Sequence, residues 1–479
     1  MKNIFEKSVP GRRGISTGKP KKKEPVTEEK FLRKAPLNLP EVSELDVIRH
    51  YTGLSKMNFS VDTNFYPLGS CTMKYNPRVN EAAAALPGFN RLHPYLSYID
   101  EGAARGALEL IYNLSRLLCE ITGMKQFTTQ PYAGAHGELT GILLTAAYHK
   151  KKGNKKTYMV VPESAHGTNP ASAAMGGYDV VSIPVDKSGA MDIDVFREKM
   201  GPEAAGVMMT VPGTLGVFEN NIEEVVKTAR EHDAVMYYDG ANLNAIMGKL
   251  RPGDIGFDIV HMNLHKTFSA PHGGGGPGSG AVGVSSRLSD FIPVPLVKRD
   301  TDGTYRPDFD VKDSIGPVAS FFGNFGVLVK AYTYIIMLGR EGLIDVSEKA
   351  VLNANYIMEK LKGLYHLPFD RVCAHECVFS AKKQAEKGVR AFDIAKALID
   401  RGIHPPTVYF PLVVEEAMMI EPTETEPKEE LDKFIAAMAE IAKLAETAPE
   451  KIKEAPIISP VSRPDETKAA RELKLICEM

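Results

Sequence analysis

Apolar and polar positions along the 479 residues fall into two recurring patterns. The runs "TYMVVP" (157–162), "AAGVMMTVP" (204–212), "AVMYYD" (234–239) and "FDIVHMNL" (257–264) are short and mostly apolar. Such runs predict strands buried on both faces, as in a parallel sheet. Other segments carry apolar residues at helical spacing, among them "GALELIYNLSRLLCEITG" (106–123). "IEEVVKTAREHD" (222–233) lies between two of the strand runs and has the charge and spacing of a crossover helix. This alternation predicts a large α/β domain with a mostly parallel sheet over residues 61–340. Beyond 340, helical text ("VLNANYIMEKLKGL", "AFDIAKALIDRG", "EELDKFIAAMAEIAKLAETA") mixes with short strand candidates, predicting a smaller α+β C-terminal domain and tail over 341–479. Residues 1–60 are rich in Pro, Lys and Glu with little sustained period, and read as an extended N-terminal arm.

The stretch "HMNLHKTFSAPHGGGGPGSG" (261–280) places one lysine, Lys266, at the end of an apolar run and ahead of a run of glycines. A nucleotide-binding P-loop needs its lysine directly after the glycines, so that reading fails on order. A zinc pair at His261 and His265 would need one helical face, with Glu after the first histidine; position 262 is Met and the local pattern favours a strand. What remains is a lysine at the C-terminal edge of a parallel sheet, where open α/β folds bind ligands. Low-dielectric walls penalise its ammonium form, which makes the amine a competent nucleophile toward an aldehyde.

Three further segments fit that reading. Asp239 follows "AVMYY" and could hold a protonated pyridine nitrogen, or merely cap a helix. His166, in "VVPESAHGTNPAS", could stack on a flat ring, or be an ordinary polar loop residue. Ala133, Gly134 and Ala135 open a helix-like run whose backbone N–H groups could hold a phosphate, or allow close packing. Together they supply an amine, an acid, a ring stacker and a phosphate cradle at equivalent positions.

Composition narrows the class further. Apolar residues make up 43% and charged residues 25%, with a formal net charge of −2, so no global field draws nucleic acid or anionic lipid. The basic run at 18–25 reads as a solvated arm. No apolar run reaches the roughly 18 residues of a membrane span, and the first residues lack a secretion signal. Five scattered cysteines (71, 119, 373, 377, 477) do not form a disulfide framework, which points to a reducing cytoplasm. The pair in "CAHEC" (373–377) reads as buried core rather than a metal or redox site.

Long motifs then carry a resemblance: "RHYTGLSKMNFSVDTNFYPLGSCTMKYNP", "QPYAGAHGELTG", "AHGTNPASAAMGGY", "DGANLNAIMG", "GFDIVHMNLHKTFSAPHGGGGPG" and "PVSRPDETKAAR". Across nearly its whole length the chain resembles the P-protein family of the glycine cleavage system, the glycine dehydrogenases (decarboxylating). More narrowly, it is similar to the second subunit of the form split over two chains. The resemblance implies an aspartate aminotransferase-like fold (fold type I) and pyridoxal 5'-phosphate as cofactor. Lys266 would carry the cofactor covalently, Asp239 would meet the pyridine nitrogen and His166 would cover the ring. Ala133, Gly134 and Ala135 would face the phosphate, helped by Thr214 and His265. Ser70, Cys71 and Thr72 would line the substrate pocket, with His93 on the same side; no metal is implied. The implied reaction decarboxylates glycine and passes the aminomethyl group to the lipoyl arm of the H-protein. The implied assembly pairs two copies of this chain with two of subunit 1. Gly213, where the family usually has a polar residue, and Ala281, where Pro is common, depart from the pattern. An aminotransferase or simple decarboxylase on the same scaffold would use the same lysine and aspartate without a lipoyl carrier. A purely structural subunit would need neither residue.

Overall fold

The computed structural model describes residues 2–15, 28–35, 37–273 and 278–474. The basic run at 18–25, glycines 274–276 and Cys477 lie outside the described residues. The chain forms two compact units, Val61–Ala455 and a second made of Met1–Ser60 with Pro456–Met479. In the second unit the expected extended arm contains a helix, Glu44–Ser55. A reciprocal cap explains it: Ser43 Oγ accepts the Asp46 N–H, and the Asp46 carboxylate accepts the Ser43 N–H. The tail from Pro456 groups with this unit, whereas the sequence pattern assigns it to the C-terminal lobe.

The larger unit is built on a seven-stranded sheet. Its strands are β1 (Gln126–Thr128), β2 (Tyr158–Pro162), β3 (Asp179–Ile183), β4 (Ala204–Thr210), β5 (Val235–Asp239), β6 (Ile259–Asn263) and β7 (Gly280–Val284). They lie in the order β1-β7-β6-β5-β4-β2-β3. Strands β3, β2, β4, β5 and β6 run parallel, and β7 is antiparallel to both its neighbours. Every residue of β5 and β6 is buried, which is why their sequences show no alternation. The helix Gly134–Lys152 lies against this sheet so closely that a Cβ on Gly141 would sit 2.1 Å from Tyr237 Cε2. Parallel register puts the ends of β2, β4, β5 and β6, namely Pro162, Thr210, Asp239 and Asn263, on one edge of the sheet.

A two-stranded ribbon, β8 (Leu296–Arg299) with β9 (Tyr305–Asp308), follows. The helix Phe325–Leu361 is interrupted at Gly339, where φ is 61°. Beyond it, β10 (Cys377–Ser380), β11 (Thr407–Val408) and β12 (Ala417–Ile420) form a small antiparallel sheet with β12 in the middle. The helices Ala391–Ile399 and Lys428–Thr447 cover it, around a core of Phe379, Met418, Ile420, Phe434 and Ile441. No helix among the described residues is long and apolar enough to cross a membrane.

Candidate active site

At the ligand edge of the large sheet one pocket gathers Ser70, Gly134, Ala135, His166, Thr214, Asp239, His265 and Lys266. All but Ser70 stand at a strand end or in the segment that follows one. Lys266 sits in the turn after β6, its backbone N–H donating to the carbonyl of Asn263. Asp239 is the last residue of β5, and its Oδ1 accepts the backbone N–H of Ala241 at 3.0 Å.

Asp239 is almost wholly buried, which by itself would favour the neutral acid. Its surroundings reverse that. His261 Nε2 lies 3.2 Å from Oδ1 and Asn169 Nδ2 donates to Oδ2 at 3.0 Å. With the Ala241 N–H and the charge of Lys266, these contacts hold the carboxyl below its ordinary range. His261 is itself oriented by the Tyr237 hydroxyl, 2.7 Å from Nδ1.

The helix Gly134–Lys152 begins beside this acid without a side-chain cap, Ala133 being extended (φ −155°). The first amides of a helix have no intrahelical partner and carry the positive end of its dipole. They face a pocket walled by Asn263, which leaves no room for a Cβ at Gly134: it would approach Asn263 Oδ1 to 2.5 Å. Glu138, one turn further on, is buried and accepts hydrogen bonds from Thr168 Oγ1 and Ser172 Oγ.

Imidazoles supply further donors, beside the buried and unpartnered hydroxyl of Thr210. His265 is driven down to about 3 by burial and by the neighbouring Lys266 and His272, so it is neutral at pH 7. Its Nδ1 accepts the Ser279 N–H, which leaves the proton on Nε2. His166 is exposed; its Nδ1 accepts the Thr168 N–H at 3.2 Å and its ring meets Phe410 edge to face. The Thr214 hydroxyl donates to the Ser164 carbonyl.

The loop of residues 66–76 closes the pocket from the C-terminal lobe. Leu68 bridges to Ile420, and a Cβ on Gly69 would fall 2.2 Å from Met419 Cγ, so the loop lies directly on β12. Ser70 adopts a left-handed conformation (φ 61°), and its carbonyl accepts the Lys266 amine at 2.7 Å. Glu376 Oε2 receives the Ser70 N–H at 2.7 Å, and Glu421 Oε1 receives the Thr72 hydroxyl at 2.5 Å. Lys74 is buried among Glu424, the Tyr334 hydroxyl and the Thr267 carbonyl. Cys71 is half-buried and close enough to Lys266 to feel its charge; burial pushes its thiol up.

His93 is placed elsewhere. It lies exposed beside Tyr95, at a separate apolar pocket with Phe89 and Phe322, and the chain does not bring it to Lys266. Conversely, His261, Asn169, Glu138, Glu376 and Glu421 belong to the pocket or its supports and were not anticipated. His261 had a usable signal, a polar residue within a strand buried on both faces. Glu376 and Glu421 had none, since they are 306 and 349 positions from the residues they hold.

Comparison with known proteins agrees with this geometry. The family model for the glycine cleavage system P-protein matches residues 4–311, and that for the glycine dehydrogenase C-terminal domain matches 346–457. The probable glycine dehydrogenase (decarboxylating) subunit 2 of Caldanaerobacter subterraneus subsp. tengcongensis is 55% identical over 98% of this chain and 97% of its own. The protein of the same description from Listeria welshimeri is 54% identical over the same shares. Among solved structures, a glycine decarboxylase (P-protein) in inhibitor-bound form has a TM-score of 0.71 at 20% identity, covering 86% of this chain and 93% of that one. A cysteine desulfurase from Thermococcus onnurineus NA1 has a TM-score of 0.59 at 16% identity, over 80% and 95%. These distant structures share the fold, which is the fold type I architecture expected from the sequence. On the matched family models and the closely similar relatives, the chain belongs to the glycine cleavage system P-protein family.

Proposed function

We propose that this chain is the cofactor-bearing subunit of a glycine decarboxylase, glycine dehydrogenase (decarboxylating). The observation that carries the reading is the convergence of Lys266, Asp239 and an uncapped helix N-terminus on one pocket. That set fits pyridoxal 5'-phosphate: an amine for its aldehyde, an ionised acid for its ring nitrogen, and free amides without bulky Cβ atoms for its phosphate. When bound, the cofactor supplies an electron sink for the pair released as CO2 leaves.

The chain's own groups do the rest. Lys266 offers the amine, held ready by the Ser70 carbonyl. Asp239, kept ionised by His261, Asn169 and Ala241, would hold a proton on the ring nitrogen and so deepen the sink. Ala133, Gly134 and Ala135 would seat the phosphate, and His166 would cover the open face of the ring. No arginine lines the pocket among the described residues, so the glycine carboxylate would be recognised by imidazole and backbone N–H donors. Ser70, with Cys71 and Thr72 beside it in the loop, would line the place of a substrate without a side chain. The aminomethyl group would pass to the lipoyl arm of an H-protein, within a cytoplasmic assembly of two copies of this chain and two of subunit 1.

Borohydride reduction of the purified assembly, followed by proteolysis, tests the assignment. The expected result is a pyridoxyl group on Lys266, its loss in Lys266→Ala, and bicarbonate exchange into glycine only when lipoylated carrier is present. A pyridoxyl group on another residue, or exchange without the carrier, would overturn it.

A further inference from the structure

His375, Glu376 and Glu421 meet where the C-terminal lobe touches the loop of residues 66–76. All three are wholly buried, and one ligand-type atom from each lies within 4.8 Å of the others. Their outward contacts are few. Glu376 Oε2 takes the Ser70 N–H and Glu421 Oε1 takes the Thr72 hydroxyl, with the Asn244 amide nitrogen at 3.5 Å. Glu376 Oε1, Glu421 Oε2 and both ring nitrogens of His375 have no hydrogen-bond partner. His375 Nε2 stands 3.6 Å from Glu376 Oε1, just beyond hydrogen-bond reach.

The unsatisfied oxygens are all acceptors, and an ionised carboxylate has no hydrogen to give. Two adjacent buried carboxylates cannot both stay charged without a cation. The titratable groups that face them are Lys266, Lys74, Glu424, His375 and Cys71. Lys74 is committed to Glu424. Burial, then the charge of Lys266, drives His375 down to about 3, so it brings no charge. Burial pushes the Cys71 thiol up, so it adds none either. Lys266, which donates to the Ser70 carbonyl, brings one positive charge and so answers one carboxylate only; what completes the other is a proton.

We infer that Glu376 and Glu421 share one proton and act as a positioning pair for Lys266, fixing through Ser70 and Thr72 the loop carbonyl that receives the lysine amine. The left-handed Ser70 is the joint: its N–H is held by Glu376 while its carbonyl holds the amine. A residue with a Cβ adopts that conformation at a cost, which such a hold offsets. With one shared proton the pair carries a single negative charge beside the amine. Burial raises both carboxyls, Glu421 to about 7, in keeping with one retained proton. The inference deepens the proposed function, since it rests on Lys266 being the working amine.

Competitive acylation of the full chain with acetic anhydride, mapped by mass spectrometry, reads the pH midpoint of Lys266 reactivity without any cofactor. Each single variant, Glu376→Gln or Glu421→Gln, leaves one carboxylate and so the same single charge. The midpoint is expected to stay within about 0.3 pH unit of the parent, while E376Q/E421Q lowers it by about one unit. Two single shifts that add up to the double would mean independent carboxylates and would overturn the shared proton. Glu376→Leu, which takes away the acceptor for Ser70, is expected to change the Lys266 acylation rate about tenfold, with the parental rate restored in Glu376→Gln. A parental rate in Glu376→Leu would overturn the positioning role. Stoichiometric metal in the purified chain would also overturn the inference, by putting a metal where the proton is assigned. The reductive mapping above stands apart from all these readouts, so a failure of the cofactor assignment and a failure of the pair are separable.

Discussion

Asp239 and the Glu376–Glu421 pair are equally withdrawn from water and both feel the charge of Lys266, yet their protons behave in opposite ways. Asp239 receives an amide from Asn169, a backbone N–H from Ala241 and the imidazole of His261, and is held ionised. The glutamates receive one hydrogen bond each at close range, have an oxygen each within 4.8 Å of the other, and are driven toward the neutral form. Burial is common to both, so it does not decide the charge. The number of donors aimed at each oxygen does. An acid meant to hold a proton on a ring nitrogen must be ionised, whereas a pair that steadies a loop works with one proton retained.

Converting a paired acid into an unpaired one tests the contrast most severely. Lys74→Met would strand Glu424 in the core and is expected to lower unfolding stability by about 3–5 kcal/mol in urea titrations. A loss below about 1 kcal/mol would show that donors matter less than argued. Asp239→Asn removes the ionised acid and keeps its shape; the variant should retain cofactor but lose about 10²- to 10³-fold in turnover. Undiminished turnover would remove the electronic role of Asp239.

A gentler test uses pH. Because Glu421 rises from 4.5 to about 7 on folding, the native state binds more protons than the unfolded chain between those values. The stability this brings is complete below pH 4.5 and is lost as pH climbs through about 7. The melting temperature of E376Q/E421Q should therefore gain on that of the parent across this window; a constant gap would contradict raised carboxyls. Asp239, lowered on folding, has the reverse sign: its contribution is present above 3.8 and fades only as pH falls further. Cys71 should show only a modest difference. Its half-buried thiol should react slowly with a thiol reagent, and more slowly still with glycine bound; equal labelling in both states would place it outside the substrate pocket.

The floor of the pocket was legible in the sequence, and its supports were not. Strands β2, β4, β5 and β6 announce themselves as short apolar runs because both faces are buried, and their parallel order puts the residues that follow them on one edge. That logic led to Lys266, Asp239 and His166, and the small residues 133–135 at the start of a helical run led to the Gly134 helix start. It could not find Asn169, whose meaning depends on which oxygen of Asp239 it faces, and it passed over His261, a polar residue inside a strand buried on both faces. Nor could it find Glu376, which the sequence shows only as an acid between an unremarkable histidine and cysteine. Periodicity reports burial, not partners. The helix at Glu44–Ser55 escaped for a different reason: its start rests on the Ser43–Asp46 cap, a local device with little hydrophobic period behind it.

The separation of Ser70 from Glu376 by 306 positions, and of Thr72 from Glu421 by 349, has a consequence for biosynthesis. A growing chain can lay down the large sheet and its lysine long before either glutamate has been translated. Non-local contacts of this kind close late. Grip on the amine is thus withheld until the final lobe arrives, and a ribosome-stalled or truncated product would hold a reactive lysine without the brace that aims it.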